Sequence, residues 1–418
     1  MANFRRLLFS YKNYGRHLSL KSYSKFHTTK FHFRFFNNFT MCNAQEYYFA
    51  KSQKGENYRL HVAKSKHLVG LSTTRGIRET NEDRCQVMVL ELNEDKLKQF
   101  AENIVQDKVE SDIDIINAVP VSRIEVEEES KEGQFCYFAI FDGFEKIVKV
   151  GNLHNRIEEV AAKDADDVVV QWHETNKTNL PESSLESKKT LTLEQRLTLA
   201  FLKTDLELLN GSGNTSGSTA SIVIVKPLDH HPFWNSQKLE ITVAHVGDTR
   251  ILMCDVPSGK VIRLTDDHHP SATTENSRLQ RSGGYIITDS FGAEMFLGKL
   301  AVSRSMGDSK MKIYGVSAEP DIKINTVIGM DTAFLVLVSD GVTSVMSDQE
   351  IVDCIKGCND PTVGASKLVN FAEELGSEDN ITAMVIRFPG WGSEMPDHTK
   401  DLRKYRLENE SRAHNRRT

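Results

Sequence analysis

Three largely apolar runs of the sequence each lead into an aspartate that stands beside a glycine. Such runs predict strands buried on both faces, with a carboxylate at the strand's end. One Asp-Gly pair alone is most often an ordinary turn, but three carboxylates delivered to strand ends predict a cluster. Clustered carboxylates repel one another unless a hard cation lies between them, so the pattern indicates a divalent metal site. The three places are Asp142-Gly143 after 135–141, Gly247-Asp248 after 241–246, and Asp340-Gly341 after 334–339.

The elements that must position these aspartates predict an α+β fold, because strand and helix patterns follow one another in no regular alternation. Thr192 to Gln195 is a capping-box pattern that opens a helix ending near Leu209, and Ser347 is expected to open another. The strands 241–246 and 249–254 are predicted to be neighbours joined by the turn at Gly247-Asp248.

Composition sets limits on the class of protein. With 418 residues, 39% hydrophobic and 26% charged, the chain has the composition of a soluble globular protein of one large or two ordinary domains. Because no run approaches 18 apolar residues, no integral membrane segment is expected. The six cysteines are scattered without C-x-x-C pairs, which argues against a disulfide framework and against a zinc site.

Residues 1–45 differ from the rest of the chain, with eight Lys or Arg and no acidic residue before Glu46. A basic, Ser-containing leader without a long apolar core predicts a mitochondrial presequence, and hence a location in the mitochondrial matrix. The alternative is a basic disordered tail that binds nucleic acid or a membrane surface. Without these charges the remaining chain is more acidic than the net −6 of the whole, so we expect no nucleic acid partner. Met41 offers a second start that would remove the leader.

The remaining boundaries follow from shifts in composition. We expect one folded domain over residues 58–388, interrupted by an acidic insertion at about 91–132. Residues 389–418 are polar and basic, and they are predicted to form a loose tail. The sequence carries no signal for the oligomeric state.

Eight short motifs occur in one order along the chain. They are Arg78 with Asn81-Glu82-Asp83, Phe141-Asp142-Gly143, Gly217-Ser218-Thr219-Ala220, the run 246–250, the run 264–270, the run 300–308, Ser339-Asp340-Gly341, and Asp379-Asn380-Ile381-Thr382. Any one of the motifs is weak evidence, whereas the ordered set is very improbable by chance. Together they resemble the metal-dependent serine/threonine protein phosphatases of type 2C over about residues 66–388. A weaker likeness to a fungal mitochondrial branch lies in residues 314–321 and at Trp391-Gly392.

This resemblance implies a β-sandwich of two antiparallel sheets flanked by helices, with the metal site in the cleft at one end. It implies hydrolysis of phosphoserine and phosphothreonine in proteins by a water that two metal ions activate. The cofactors would be Mg²⁺ or Mn²⁺, two or three per chain, which suits sites rich in oxygen and partly hydrated. The partner would be a phosphoprotein substrate, such as pyruvate dehydrogenase for a mitochondrial member.

The resemblance also implies a role for each motif residue. Asp142 would bridge two ions with help from the Gly143 carbonyl, and Arg78 would clamp the phosphate with two parallel hydrogen bonds, a geometry that Lys lacks. Arg78, Asp142 and Asp340 would be the catalytic set. The other expected ligands are Asp340 and Asp379 for the first ion, Glu82 and Asp83 for the second, largely through water, and Asp248 for a weaker third ion.

The sequence departs from the family pattern directly after Asp142-Gly143. The family commonly has a His and two glycines there, whereas this chain has Phe144, Glu145 and Lys146. That His is the expected general acid for the leaving alkoxide, and loss of a general acid typically costs about 10²–10⁴-fold in rate. Two hypotheses therefore stand: an active phosphatase, in which His154 or Glu145 is another candidate acid, and a pseudophosphatase that binds metal or phosphoprotein without turnover.

Overall fold

The computed structural model describes residues 46–51, 56–92, 129–130, 134–143, 153–162, 192–210, 216–288, 292 and 294–417. The predicted leader at 1–45, most of the predicted acidic insertion, and the departure at Phe144 to Lys146 lie outside the described residues.

Seventeen strands are present within the described part of the chain. In chain order they are β1 (Tyr47–Lys51), β2 (Asn57–His61), β3 (Val69–Thr74), β4 (Arg84–Glu91), β5 (Glu129–Ser130), β6 (Gln134–Phe141), β7 (Gly217–Ser218), β8 (Ala220–Pro227), β9 (Lys238–Val246), β10 (Arg250–Asp255), β11 (Val261–Arg263), β12 (Ile286–Thr288), β13 (Glu294–Phe296), β14 (Met306–Gly307), β15 (Asp321–Ile328), β16 (Thr332–Val338) and β17 (Ile381–Arg387).

Two antiparallel sheets of five strands form the centre of the fold, which confirms the expected pair of sheets. The first has the order β15-β9-β8-β6-β4, and the second has the order β11-β10-β16-β17-β3. The prediction that β9 and β10 are neighbours is wrong, because the two strands belong to different sheets. Gly247 has a φ of 110°, a conformation that favours glycine, and at this point the chain crosses from the first sheet to the second.

The core between the sheets is built by alternate residues of the central strands. Phe138 and Ile140 of β6 face inward and pack in one cluster with Leu335 and Leu337 of β16. The alternate residues of β6 face the opposite side and pack in a second cluster under helices; they are Phe135, Tyr137, Ala139 and Phe141. Because both faces of these strands are covered, their sequences read as continuous apolar runs rather than as alternating patterns.

Eight α-helices occur among the described residues, and several of them cover the outer faces of the two sheets. Helices α1 and α2 pack on the first sheet, and α5 to α7 pack on the second, which confirms the sandwich flanked by helices. The capping boxes predicted at Thr192 and Ser347 are both present, at the start of α2 and α6. The helices are α1 (Leu153–Ala162), α2 (Leu193–Leu209), α3 (Thr273–Arg281), α4 (Ser309–Lys312), α5 (Asp340–Thr343), α6 (Asp348–Ile355), α7 (Pro361–Glu374) and α8 (Lys400–Arg417).

The C-terminal segment differs from the loose tail that its composition predicted, because residues 400–417 form α8. Its Leu407 packs against the outer cluster of the second sheet, and Arg406 pairs with Glu350 of α6 at 2.8 Å. Arg403 lies 3.7 Å from Asp353, which is completely buried in α6. Side chains at helical spacing therefore bind this segment to α6 and to the outer cluster of the second sheet, although its composition is polar.

The smaller sheets lie around this sandwich, in the orders β2-β1-β5, β12-β13 and β14-β7. The β14-β7 pair matters for the site because Gly143 forms a further antiparallel bridge to Ser218 of β7. Among the described helices, none combines the length and the apolar character needed to span a membrane.

Candidate metal centre

Strand register brings the first group of site residues to one edge of the first sheet. Arg84, the first residue of β4, pairs with Phe141, the last residue of β6. Since the strands are antiparallel, the residues just outside this pair, Asp83 and Asp142, lie at the same edge. The pairing of Ala220 with Val246 at the ends of β8 and β9 likewise brings the turn that carries Asp248 to this edge.

The second sheet delivers its carboxylates to the same end of the sandwich. Val338 at the end of β16 pairs with Ala383 of β17, so Asp340 and Asp379 lie close together. Ser339, directly after β16, donates from its Oγ to Asp83 Oδ2 at 2.8 Å, so the two sheets face each other here. The structure therefore brings the strand-end aspartates Asp142, Asp248 and Asp340 to the same end of the sandwich.

Burial and mutual repulsion raise the pKa values of the clustered carboxyl groups. For Asp142, burial raises the pKa well above its usual value, and the charges of Asp340, Asp83 and Asp248 add to the effect. Burial raises the pKa of Asp83 to about 6 and that of Asp248 to about 7. The Asp142 and Asp340 carboxyl groups are within hydrogen-bonding reach of each other. A cation bound between these carboxyl groups would offset their repulsion and stabilise their ionised forms.

The donor atoms fit a hard cation. Asp83 is 5% exposed, and its Oδ2 accepts a hydrogen bond from Ser339 Oγ at 2.8 Å. Its Oδ1 is buried and has no hydrogen-bond partner among the described residues. A buried carboxylate oxygen without a partner is costly, and a metal ion or its bound water would satisfy it. All donors at this edge are oxygens, the type that Mg²⁺ and Mn²⁺ prefer.

In the described ranges, no three or more His, Cys, Asp or Glu side chains are arranged as a group that could hold a metal ion by themselves. Mg²⁺ in proteins usually keeps several waters and uses few protein carboxylates. Glu82 is placed through its backbone, whose N–H donates to Asn380 Oδ1 at 2.7 Å.

Arg78 lies at the rim of the cluster, in the loop that follows β3. Its Nη2 donates to Asp379 Oδ2 at 2.6 Å, and its Nε donates to the Glu378 carbonyl at 3.3 Å. The side chain keeps 57% of its surface exposed. A guanidinium held over an acidic cleft and open to solvent is suited to meet a phosphate that enters the cleft.

Contacts with Thr219, between β7 and β8, and with Ser218 of β7 fix the backbone of Asp142 and Gly143. The Asp142 N–H donates to Thr219 Oγ1 at 3.0 Å, and its carbonyl accepts the Thr219 N–H at 2.8 Å. A Cβ at Gly143 would lie 2.6 Å from the Gly217 carbonyl oxygen, so no larger residue fits here without a shift. Gly247 is restricted in the same way, because a Cβ there would lie 2.5 Å from the Thr219 methyl group.

Two residues that the sequence reasoning left without a role hold the site together. The Asn380 side chain accepts from the Glu82 N–H and donates to the carbonyls of Arg75 and Thr80 at 3.0 and 2.9 Å. Ser339 Oγ donates to Asp83 and accepts the Thr382 N–H at 3.0 Å. Asn380 follows Asp379 and Ser339 precedes Asp340, each within one of the eight motifs. This position beside an expected metal ligand was the sequence signal that could have identified them.

His154, one of the alternative general acids, lies away from the cluster. It is mostly buried in α1, and its Nδ1 is 3.3 Å from Gln86 Oε1 of β4. Gln86 pairs with Ala139, three residues before Asp142 along β6. At about 3.3 Å per strand residue, this separation excludes direct proton transfer to a group held by Asp142.

Comparisons with known proteins add independent findings. The family model described as "Protein phosphatase 2C" matches residues 128–381. Protein phosphatase 2C homolog 4 of Schizosaccharomyces pombe is 38% identical over 216 residues, which are 50% of this chain and 56% of that protein. The Xenopus laevis protein named "Protein phosphatase 1K, mitochondrial" is 35% identical over 256 residues, 61% of each chain. The chain thus spans less than two thirds of these relatives.

A solved structure supports the architecture. The crystal structure of serine-threonine phosphatase 2C from Toxoplasma gondii superposes with a TM-score of 0.50 and covers 77% of this chain and 94% of its own. Only 20% of the aligned residues are identical, so this likeness concerns the fold. It agrees with the two antiparallel sheets flanked by helices.

Proposed function

Because the chain belongs to the protein phosphatase 2C family, we propose that it is a metal-dependent phosphatase acting on phosphoserine and phosphothreonine in proteins. The observation that carries the proposal is the cluster of buried carboxylates that strands of both sheets deliver to one end of the sandwich. Burying four acidic groups that raise one another's pKa is costly for a fold, and such clusters are typical of functional sites.

The proposed cofactors are Mg²⁺ or Mn²⁺, two or three per chain. Bound at this edge, they would supply the positive charge that lowers the pKa of water and offsets charge on the phosphoryl group. Asp142 and the Gly143 carbonyl would bridge two ions, held in place by Thr219. The remaining assignments are Asp340 and Asp379 for the first ion, Glu82 and Asp83 for the second, and Asp248 for a weaker third.

Arg78 would orient the substrate. Its present partner is the Asp379 carboxylate, which has its own role in the proposed site. With Asp379 engaged by a cation, the guanidinium would be free to donate two parallel hydrogen bonds to phosphate oxygens. This planar fork fixes the phosphoryl group over the cluster and makes Arg78→Lys a poor replacement.

The assay that tests the proposal is hydrolysis of a phosphothreonine peptide by the full chain with Mn²⁺, with Mg²⁺ and with EDTA. We expect turnover that either cation restores and that EDTA abolishes. Asp340→Asn is the matched control, because it removes a charge of the cluster and changes little else. Metal-independent turnover, or equal turnover in Asp340→Asn, would contradict the metal assignment.

The second candidate function is a pseudophosphatase. It is favoured by Phe144, which stands where the family commonly has the His that serves as general acid. If the chain is active without that acid, Phe144→His should speed hydrolysis of phosphothreonine more than that of an aryl phosphate. The reason is that a phenolate leaves without a proton, whereas an alkoxide requires one. The measurement is kcat/KM for both substrates in both proteins. Equal effects contradict the missing-acid account, and inactivity of both proteins supports the pseudophosphatase.

For location and substrate, we propose the mitochondrial matrix and a phosphoprotein such as pyruvate dehydrogenase. The support is the basic, acid-free stretch at 1–45 and the word "mitochondrial" in the name of one relative. The substrate itself rests on family analogy alone.

A further inference from the structure

A buried ion pair lies behind the proposed metal site, outside the set of metal ligands. Asp205 of α2 is completely buried, and Lys312 at the end of α4 has a side chain only 6% exposed. Lys312 Nζ lies 3.0 Å from Asp205 Oδ1. Because removing two charges from water is costly, a buried pair of this kind is a weak source of stability.

Both ends of the pair hold the backbone of one short segment. Asp205 Oδ1 accepts the Gly307 N–H at 2.7 Å, and Lys312 Nζ donates to the Ser305 carbonyl at 2.7 Å. These two contacts lie on either side of Met306, which is completely buried. The pair thus fixes β14 from helices α2 and α4.

From β14 a series of backbone contacts leads to the metal site. Met306 pairs with Ser218 of β7, and Ser218 forms the antiparallel bridge to Gly143. Ser218 Oγ also donates to the Asp142 carbonyl at 3.2 Å. Only one strand of two residues, β7, therefore separates β14 from the bridging ligands Asp142 and Gly143.

The layers in this series are packed too tightly to absorb a displacement. A Cβ at Gly217 would lie 1.8 Å from Asp308 Oδ2, and a Cβ at Gly143 would lie 2.6 Å from the Gly217 carbonyl oxygen. Asp308 has a left-handed conformation, with φ 46° and ψ 48°, which is strained for a residue other than glycine. The surrounding contacts must hold this conformation in place, and a shift of β14 would be passed on to Gly143.

We propose that the Asp205–Lys312 pair positions the metal site by fixing β14 and β7, so that the Gly143 carbonyl and the Asp142 carboxylate stay in place for cation binding. Both residues act through the backbone and are positioning residues. This inference rests on the proposed function, because Asp142 and Gly143 are metal ligands only in that proposal.

The test is Mn²⁺ affinity of the full chain, measured from the electron paramagnetic resonance signal of free Mn²⁺. We expect Asp205→Ala, which removes the acceptor for the Gly307 N–H, to weaken Mn²⁺ binding about 10-fold, as for other residues that support a metal ligand. Asp205→Asn keeps an oxygen acceptor for this N–H, so its loss of affinity should be smaller. In the phosphopeptide assay, Asp205→Ala should need more Mn²⁺ for half-maximal rate.

A second buried ion pair provides the matched control. Asp353 and Lys356 have the same exposures, 0% and 6%, and their charged atoms lie 2.5 Å apart. They join α6 to the C-terminal segment, because Asp353 also accepts from Thr399 Oγ1 at 2.9 Å. Asp353→Ala should lower the melting temperature and leave Mn²⁺ affinity unchanged.

The outcomes separate the two proposals. Wild-type affinity in Asp205→Ala, or an equal loss of affinity in Asp353→Ala, would overturn the positioning role while the proposed function stands. Failure of the wild type to bind Mn²⁺ would overturn both. If Asp205→Ala does not fold, the comparison of Asp205→Asn with Asp353→Asn decides, because only the former should weaken Mn²⁺ binding.

Discussion

Asp142 and Asp340 come from different sheets, yet their carboxyl groups lie within hydrogen-bonding reach. In the absence of a cation, the surrounding fold keeps these two carboxyl groups close together although their charges repel each other. At the scale of single residues, the proposed function therefore makes a prediction about stability as well as about rate. A second residue, Glu158, is a buried carboxyl group outside the cluster, and it leads to a prediction about pH.

The first prediction concerns Asp142→Asn and Asp340→Asn. Each should reduce Mn²⁺-dependent phosphopeptide hydrolysis by about 10³-fold or more, because several kcal/mol of metal stabilisation are lost. Each should also leave the melting temperature of the metal-free protein unchanged or raise it, since a repelling charge is removed. Steady-state kinetics and thermal unfolding in EDTA measure both effects. Near-normal activity in either variant would contradict the metal assignment.

The second prediction concerns pH. Burial raises the pKa of Glu158 to about 7, and its Oε1 accepts the Glu91 N–H at 3.3 Å. A carboxyl group with a raised pKa favours folding below its unfolded value near 4.5, and this contribution is lost as pH rises through about 7. Glu158→Gln, which stays neutral, should therefore raise stability at pH 8 by an amount on the order of 2–3 kcal/mol.

At pH 5 the same substitution should have little effect, because Glu158 is then protonated in the folded protein. Denaturant unfolding of both proteins at pH 5 and pH 8 measures the difference. A pH-independent effect of Glu158→Gln would show that ionisation of this group is not responsible.

At the scale of elements, α8 shows how a polar segment becomes part of the fold. Its charged side chains meet buried carboxylates of α6, so charge pairing replaces most of the apolar contact expected of a docked helix. Arg406 also donates to the Val345 carbonyl at 2.6 Å, in the segment that follows α5. Helix α5 begins with Asp340, and the docking surface of α8 therefore adjoins the element that carries a metal ligand.

The third prediction concerns this docking. The double variant of Arg403→Ala and Arg406→Ala should lower stability by about 2 kcal/mol or more, because Glu350 and Asp353 stay buried and lose charged partners. For a domain of this size, the melting temperature should fall by about 3 °C or more. Lys404→Ala is the matched control, since this side chain is exposed on the same helix. Equal melting temperatures in all three proteins would contradict the docking.

At the scale of the whole molecule, the chain combines a family domain with a basic, acid-free stretch at residues 1–45. This stretch is the main support for the proposed mitochondrial location, together with the name of one relative. A catalytic site that needs only a divalent cation and water would work in the matrix as well as elsewhere. Location therefore has to be tested by itself.

The fourth prediction is that residues 1–45, fused to a fluorescent protein, direct it into mitochondria. The reason is that the membrane potential and import receptors favour a basic, acid-free leader. Fluorescence microscopy with a mitochondrial dye measures the result. The control replaces Arg5 and Arg6 by Glu, which should leave the fusion in the cytosol. A wild-type fusion that stays cytosolic would support the alternative of a basic tail.

How much the sequence predicts depends on the distance over which each signal acts. Buried strands, capping boxes and strand-end aspartates are patterns within a few consecutive residues, and the structure confirms those at Thr192 and Ser347. The family resemblance carried by the eight ordered motifs implied the β-sandwich without any knowledge of tertiary contacts. These features are local because backbone geometry repeats every two residues in strands and every 3.6 in helices.

Only the tertiary structure decided which residues meet. Ser339 and Asp83 are 256 positions apart and hydrogen-bonded, and no periodicity in the sequence specifies such a pair. The turn at Gly247-Asp248 reads as a hairpin in the sequence, yet it crosses between two sheets. The role of Asp205 and the docking of α8 likewise depend on contacts between distant segments. Contacts of this kind are selected by the packing of the complete chain, because burial and charge pairing are satisfied only in three dimensions.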